Sequence, residues 1–246
     1  MRKIMILAPA LLSLGLMASS CRYNPLDSYS RIPPDRTGQE DQEGEGGLGG
    51  KFAKGFGTSD SPYVIRSANH LRNMNLGLIP GEMVYFSLES DIDISQYGWT
   101  PLNNQEPYSN FIDFEGNGHI IKGLKCSGNS YGSFFGILCG SCRNVGFIDA
   151  DVSGDNATAV IAGYVGIRSP SSANFTGYIE NCFVQGTVSG KPAGGIAGYM
   201  GSSYNSSYCY IKNCYSAATV TSSNASAGGV AGQLQKGAEV SYSYAT

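Results

Sequence analysis

One phrase recurs in the second half of the chain. Gly132-Ser133-Phe134-Phe135-Gly136, Ala159-Val160-Ile161-Ala162-Gly163, Gly194-Gly195-Ile196-Ala197-Gly198 and Gly228-Gly229-Val230-Ala231-Gly232 align at steps of 27, 35 and 34 residues. A second phrase interleaves with it: Ile179-Glu180-Asn181-Cys182-Phe183, Ile211-Lys212-Asn213-Cys214-Tyr215 and Val240-Ser241-Tyr242-Ser243-Tyr244. Units of this length cannot bury an apolar face alone, so they stack and share one core.

Each unit holds short β-prone segments, such as Gly194–Tyr199, Ile179–Val184 and Gly186–Val188, divided by Gly, Ser and Asn. Stacked at the strand spacing of about 4.8 Å, Phe134, Ile161, Ile196 and Val230 form one apolar ladder and Ile179, Ile211 and Val240 another. Asn144, Asn181 and Asn213 align as an amide ladder at a left-handed corner. Gly136, Gly163, Gly198 and Gly232 fall where the chain turns or packs closely. The expected fold is all-β: a right-handed parallel β-helix, or β-solenoid, over residues 125–246. A β-prism or sandwich is the runner-up. Residues 56–124 are expected to form an N-terminal cap and first coil, with one short helix over Ser67–Gly77, capped by Ser67. Phe111–Glu115, Gly116-Asn117-Gly118 and His119–Leu124 read as strand, tight turn, strand.

The first 20 residues read as a signal peptide: Arg2 and Lys3, then an apolar stretch from Ile4 to Met17, too short to span a bilayer comfortably. Ala18-Ser19-Ser20-Cys21 resembles a bacterial lipoprotein leader, which implies acylation at Cys21. Simple secretion after an A-x-S site is the alternative. Residues 21–55 carry Pro33-Pro34, an acidic run and Gly46–Gly50, the composition of a flexible tether. Thr246 stops within the repeated phrase, so a longer parent protein is expected.

Charged residues make up 14% of the chain and the net charge is −3, against a nucleic-acid partner, which needs clustered Lys and Arg. Cys139-x-x-Cys142 has zinc-ligand spacing but lacks a second pair, and Cys142 aligns with Ile179 and Ile211 as a core residue. Cys182 and Cys214 share a repeat position and are expected as stacked free thiols. Asp91 and Asp93 alternate with Ile92 and Ile94, as a polar outer face does; Asp149 and Asp151 repeat that pattern. Acids gathered with a Lys or Arg at matching positions of successive coils, as a polysaccharide-active enzyme needs, are not evident. Neither a catalytic residue nor a cofactor or metal is expected. The candidate ligand-binding residues are the aromatics Tyr164, Tyr199, Tyr204, Tyr208 and Tyr215, since tyrosine is enriched at interfaces.

Gly57–Ile65, Asp91–Ile94 and Phe114–Ile121, together with the Gly-Gly-Ile-Ala-Gly and Asn-Cys-Tyr phrases, resemble the GLUG-motif proteins over residues 56–246. The resemblance implies a bacterial secreted or surface protein, and the motif also occurs in non-catalytic parts of immunoglobulin-A-cleaving metallopeptidases. A His-Glu-x-x-His signature is missing, so peptidase activity is not carried over. The function expected is a non-catalytic, lipid-anchored cell-envelope protein, on the surface or periplasmic face of the outer membrane, displaying a β-helix for adhesion or for binding glycan or a host or bacterial surface protein. A polysaccharide-active enzyme and a structural spacer are the alternatives.

Overall fold

The structure is a computed structural model and describes residues 48–103, 110–166, 177–201 and 208–246. β1 (Tyr63–Ile65) leads into α1 (Ala68–Arg72) and α2 (Met74–Gly77), followed by β2 (Met83–Leu88) and β3 (Ile92–Asp93). Four three-sided turns come next. The first holds β4 (Phe111–Glu115), β5 (Ile120–Lys122), β6 (Lys125–Asn129) and β7 (Phe135–Leu138). The second holds β8 (Gly140–Arg143), β9 (Gly146–Gly154) and β10 (Ala162–Val165). The third holds β11 (Gly177–Glu180), β12 (Phe183–Gly190), β13 (Ala193–Gly194) and β14 (Ala197–Met200). In the fourth lie β15 (Cys209–Lys212), β16 (Tyr215–Ser222), β17 (Ala227–Gly228) and β18 (Ala231–Leu234). β19 (Ala238–Ser241) and β20 (Tyr244–Ala245) begin another winding.

All these strands pair in parallel with their equivalents one winding away. Sheet I runs β1-β2-β4-β8-β11-β15-β19, sheet II β3-β5-β9-β12-β16-β20 and sheet III β7-β10-β14-β18. The chain is therefore a β-solenoid. Its interior is a set of columns. Along sheet I, Tyr63, Phe86, Phe114, Cys142, Ile179, Ile211 and Val240 stand in register. At the edge of sheet III, the amide of Phe135 bonds to Ile161 O, and those of Ala162 and Ile196 to Ile196 O and Val230 O. Phe134, Ile161 and Ile196 are wholly buried, and Val230 packs against the same core. Each such side chain contributes about 1.5–3 kcal/mol through burial.

The corner between sheets I and II explains the repeated Asn. Asn144, Asn181 and Asn213 all take left-handed backbone conformations, with φ of 53°, 54° and 53°, which Asn tolerates because its short amide bonds locally. Asn144 donates to Glu115 Oε1 at 2.8 Å and Asn181 to Asn144 Oδ1 at 3.0 Å. Asn213 completes the chain, donating to Asn181 Oδ1 at 3.2 Å. This corner divides the segment Ile179–Val184 between β11 and β12 rather than leaving it one strand. The turn at Gly116-Asn117-Gly118 is the same corner one winding earlier: β4 and β5 lie in different sheets. Close packing accounts for the glycines of the first phrase. A Cβ at Gly198 would meet Gly163 O at 2.8 Å, and one at Gly232 would meet Gly198 O at 2.7 Å.

The expected single helix is two. Asn73 both ends α1, donating to Asn69 O and His70 O, and opens α2. Ser67 caps α1 by accepting from the His70 amide at 3.3 Å. Leu71 and Met74 are fully buried and plug the solenoid with Phe52, which stacks on Tyr63 at 4.3 Å. Bonds between Ala53 N and Val64 O (3.0 Å) and between Val64 N and Lys54 O (2.9 Å) pair the outer edge of β1. A paired edge cannot recruit another strand.

Candidate ligand-binding faces

Sheet III is the face on which Tyr164 and Tyr199 fall. They stand in register and stack at 4.9 Å with 14° between their planes. Tyr164 is only 7% exposed, donates its hydroxyl to Gly201 O at 2.6 Å, and packs with Phe111, Tyr131 and Ile137 in a second, smaller core. Buried there, Tyr164 offers a ligand no ring face; Tyr199, half-buried, covers its neighbour. Tyr208 is strongly exposed just before β15. Tyr204 and Cys21 lie outside the described residues.

Sheet I carries charge. Glu115, Arg143, Glu180 and Lys212 form one outward column of alternating sign, and Asp113, Ser141, Tyr178 and Tyr210 form the next. Arg143 Nη2 lies 2.7 Å from Asp113 Oδ1, its Nε 3.3 Å from Glu115 Oε2, and its Nη1 donates to the Tyr178 hydroxyl at 3.0 Å. Burial works against the Arg143 charge, but Asp113, Tyr178 and Glu115 outweigh it and raise the pKa. Tyr178 and Tyr210 stack at 5.0 Å, while Lys212 pairs with Glu180 at 3.8 Å. The expectation that acids and a cation do not gather at matching positions is therefore corrected. The signal was present: Tyr178, Tyr210, Glu180 and Lys212 flank the aligned Ile179 and Ile211. These charges neutralise one another along the column, fixing the register of parallel strands.

Sheet II differs in chemistry. Gly146, Phe183, Tyr215 and Tyr244 share one outward column. A Cβ at Gly146 would run into Cε1 and Cζ of Phe183, so the Phe183 ring leans over the glycine of the winding before it. Tyr215 leans the other way. Its hydroxyl is 3.0 Å from Thr246 Oγ1 in the following winding, and its ring lies 4.8 Å from that of Tyr244 at 37°. Beyond the rings come Gln185 and Ala217, then Thr187 and Thr219, then Ser189 and Thr221, each pair in register. Thr187 donates to Asp151 Oδ1 at 2.9 Å. Gln185 Oε1 is buried without a hydrogen-bond partner among the described residues. It sits opposite a bulge in β9, where Asp149 takes a φ of 53°. The outward side chains of β12 and β16 are all uncharged.

The acids nearest this face are partnered. Asp91 accepts from the Ile120 amide at 2.9 Å and contacts His119 Nδ1 at 3.0 Å. Lys122 bridges Asp93 and Asp149 at 3.8 and 3.9 Å. Burial opposes the Asp93 charge, yet hydrogen bonds from Ser95 and the charge of Lys122 lower its pKa. Among the described residues Cys139, Cys142, Cys182, Cys209 and Cys214 are buried thiols outside any disulfide. Cys139 belongs to the outer core and Cys142 to the inner one, so the C-x-x-C pair does not converge. The Cys182 amide lies 3.5 Å from Cys214 Sγ, which places the two aligned thiols one above the other. No group of three or more His, Cys, Asp or Glu among the described residues is placed to hold a metal.

Fold and faces together define a class: parallel β-solenoids with a plugged N-terminal end and a different chemistry on each side. No family model matches the chain. A Bacteroides ovatus protein of known structure, described as a "putative immunoglobulin A1 protease", superposes with a TM-score of 0.70 at 38% identity, over 81% of this chain and 71% of that one. The chain belongs to the family of that Bacteroides β-solenoid protein. It is also 32% identical over 146 residues to a "Putative Gly-rich membrane protein" of Evansella cellulosilytica, and 30% identical over 160 residues to Halomucin of Haloquadratum walsbyi. Those matches cover 54% and 59% of this chain but only 16% and 2% of the relatives' own lengths. Among the described residues no helix is long and apolar enough to cross a membrane.

Proposed function

We propose that the chain is a non-catalytic β-solenoid module of the bacterial cell envelope, tethered by a lipid on Cys21 and binding glycan or a surface protein. The observation that carries this reading is the outer face of β12 and β16 in sheet II, which holds no charge and where Phe183 and Tyr215 stand in one column with Tyr244 beside rows of Thr and Ser. Rings with neighbouring hydroxyls supply an apolar surface and hydrogen bonds together. A membrane-protein name on one relative supports the envelope location. Glycan and protein arrays probed with the full chain test the binding; silence on every array contradicts it. Radiolabelled palmitate incorporated by the parent and lost in Cys21→Ser tests the anchor.

An enzyme on the same scaffold is the second reading, favoured by the protease description of the Bacteroides protein. Two of the acids are shifted away from the role of a general acid. Asp93 is held low, and Glu89 is lowered mainly by its hydrogen bond with Arg66. A general acid needs the opposite shift. Immunoglobulin A1 incubated with the full chain is expected to stay intact, and cleavage would favour the enzyme.

A further inference from the structure

We infer that the outer face of sheet II binds an extended, uncharged pyranose polymer lying along the solenoid axis, one sugar ring to each winding. The inference rests on the proposed binding role and narrows its ligand. Phe183 and Tyr215 splay apart along the axis, one over Gly146 and the other toward Thr246. The Phe183 ring thereby covers the winding before it, and the Tyr215 ring is tilted against Tyr244 of the winding after it. Equivalent positions repeat at the strand spacing of about 4.8 Å, and an extended chain of equatorially linked pyranoses advances by nearly that distance per sugar. A polymer laid along the column meets an aromatic ring in each of three successive windings, Phe183, Tyr215 and Tyr244. A polymer laid along the strands meets rings at one end only, since Thr187 and Ser189 follow Phe183 in β12.

Charge selects among glycans. Sheet I has its cations and anions paired with each other, and β12 and β16 present no outward charge on sheet II. The exposed hydroxyls of Thr187, Ser189 and Thr219 give both donors and acceptors, the complement of sugar hydroxyls. A polyuronate or sulfated chain would instead need Lys or Arg beside the rings. The exposed charge in register with these rows, Asp151, is an acid that accepts from Thr187, so the complement of β12 and β16 is a neutral rather than an anionic polymer.

The test is affinity electrophoresis and pull-down of the full chain with insoluble neutral β-glycans, with polyuronates, and with neutral oligosaccharides of increasing length. Expected are retention by the neutral extended polymers and affinity that climbs with each added sugar up to about the number of stacked windings. Phe183→Ala should weaken retention at least tenfold, while Tyr215→Phe, which keeps the ring, should not. Thr219→Lys, an exposed change that leaves the core alone, should weaken binding of the neutral polymer. Retention by polyuronates alone, or by protein ligands alone, overturns the neutral-polymer assignment while leaving a binding module. Failure to bind any glycan or protein overturns both. Neutral-glycan binding that survives Phe183→Ala and Thr219→Lys unchanged overturns the placement on sheet II.

Discussion

Asn181 donates its side-chain amide to Oδ1 of Asn144 across 3.0 Å, one winding away, while its own backbone sits in the left-handed region at φ 54°. One residue thus turns the corner and ties two coils together. In the last described winding that position holds Tyr242, with φ 48° and 81% exposure. A left-handed conformation costs a residue of this kind about 1–2 kcal/mol. Tyr242→Asn is therefore expected to stabilise the fold by about 1 kcal/mol, and Asn181→Val to destabilise it by more than Asn181→Gly. Urea midpoints of the three variants check this; a destabilised Tyr242→Asn would contradict it.

Arg143 holds two carboxylates and a phenol at once. Removing it in Arg143→Met leaves Asp113 and Glu115 without their cation. Hydrogen bonds to charged groups are worth about 1.5–3 kcal/mol where partly shielded, so a loss of about 1–3 kcal/mol is expected. Adding Asp113→Asn to that variant should restore part of the stability. Equal and additive losses in the single and double variants would show that the ion pairs are not coupled.

The thiols set an alkaline limit. Burial pushes Cys139 from 9.0 up to about 12, with the nearby Cys209 adding to the shift. Burial also raises Cys182 and Cys209, and the hydrogen bond with Cys182 raises Cys214. A thiol whose folded pKa is raised adds stability that is fully present below its unfolded value. That stability is lost as pH rises from about 9 through about 12, because the unfolded chain releases protons first. Thermal melts across this window should fall less steeply for Cys139→Ala than for the parent. Identical slopes would remove the buried thiol as the cause.

Ile196 stands between Ile161 and Val230 with no exposure of its own. Ile196→Ala is expected to cost about 2–5 kcal/mol. The loss should couple with Ile161→Ala, its neighbour, by more than about 0.5 kcal/mol in a double-mutant cycle. Strict additivity would place the two side chains out of contact.

How far the residues announce this arrangement depends on which interactions decide it. Phe134, Ile161 and Ile196 were legible because a stacked fold gives equal sequence positions equal environments. Asn144, Asn181 and Asn213 were legible for the same reason, with corner geometry adding its own preference. The break at Asn73 was not, since it depends on how Leu71 and Met74 fit beneath Phe52 and Tyr63. Tyr164 misled for a related cause: Tyr131 and Phe111 come from outside its repeat and cover it. The charge column at Glu115, Arg143, Glu180 and Lys212 spans windings of unequal length. It becomes visible only once the register of β4, β8, β11 and β15 is set. The lean of Phe183 depends on Gly146, a glycine 37 residues earlier in the chain.

Gly146 also provides the most direct measurement. The three atoms nearest a methyl group there are Cε1, Cζ and Cδ1 of the Phe183 ring, a side chain that can swing away while the backbone stays in place. Gly146→Ala in the full chain should keep its melting temperature within a few degrees and lose glycan retention by about tenfold, roughly 1.4 kcal/mol. Undiminished retention by a folded Gly146→Ala protein would contradict sheet II as the binding face.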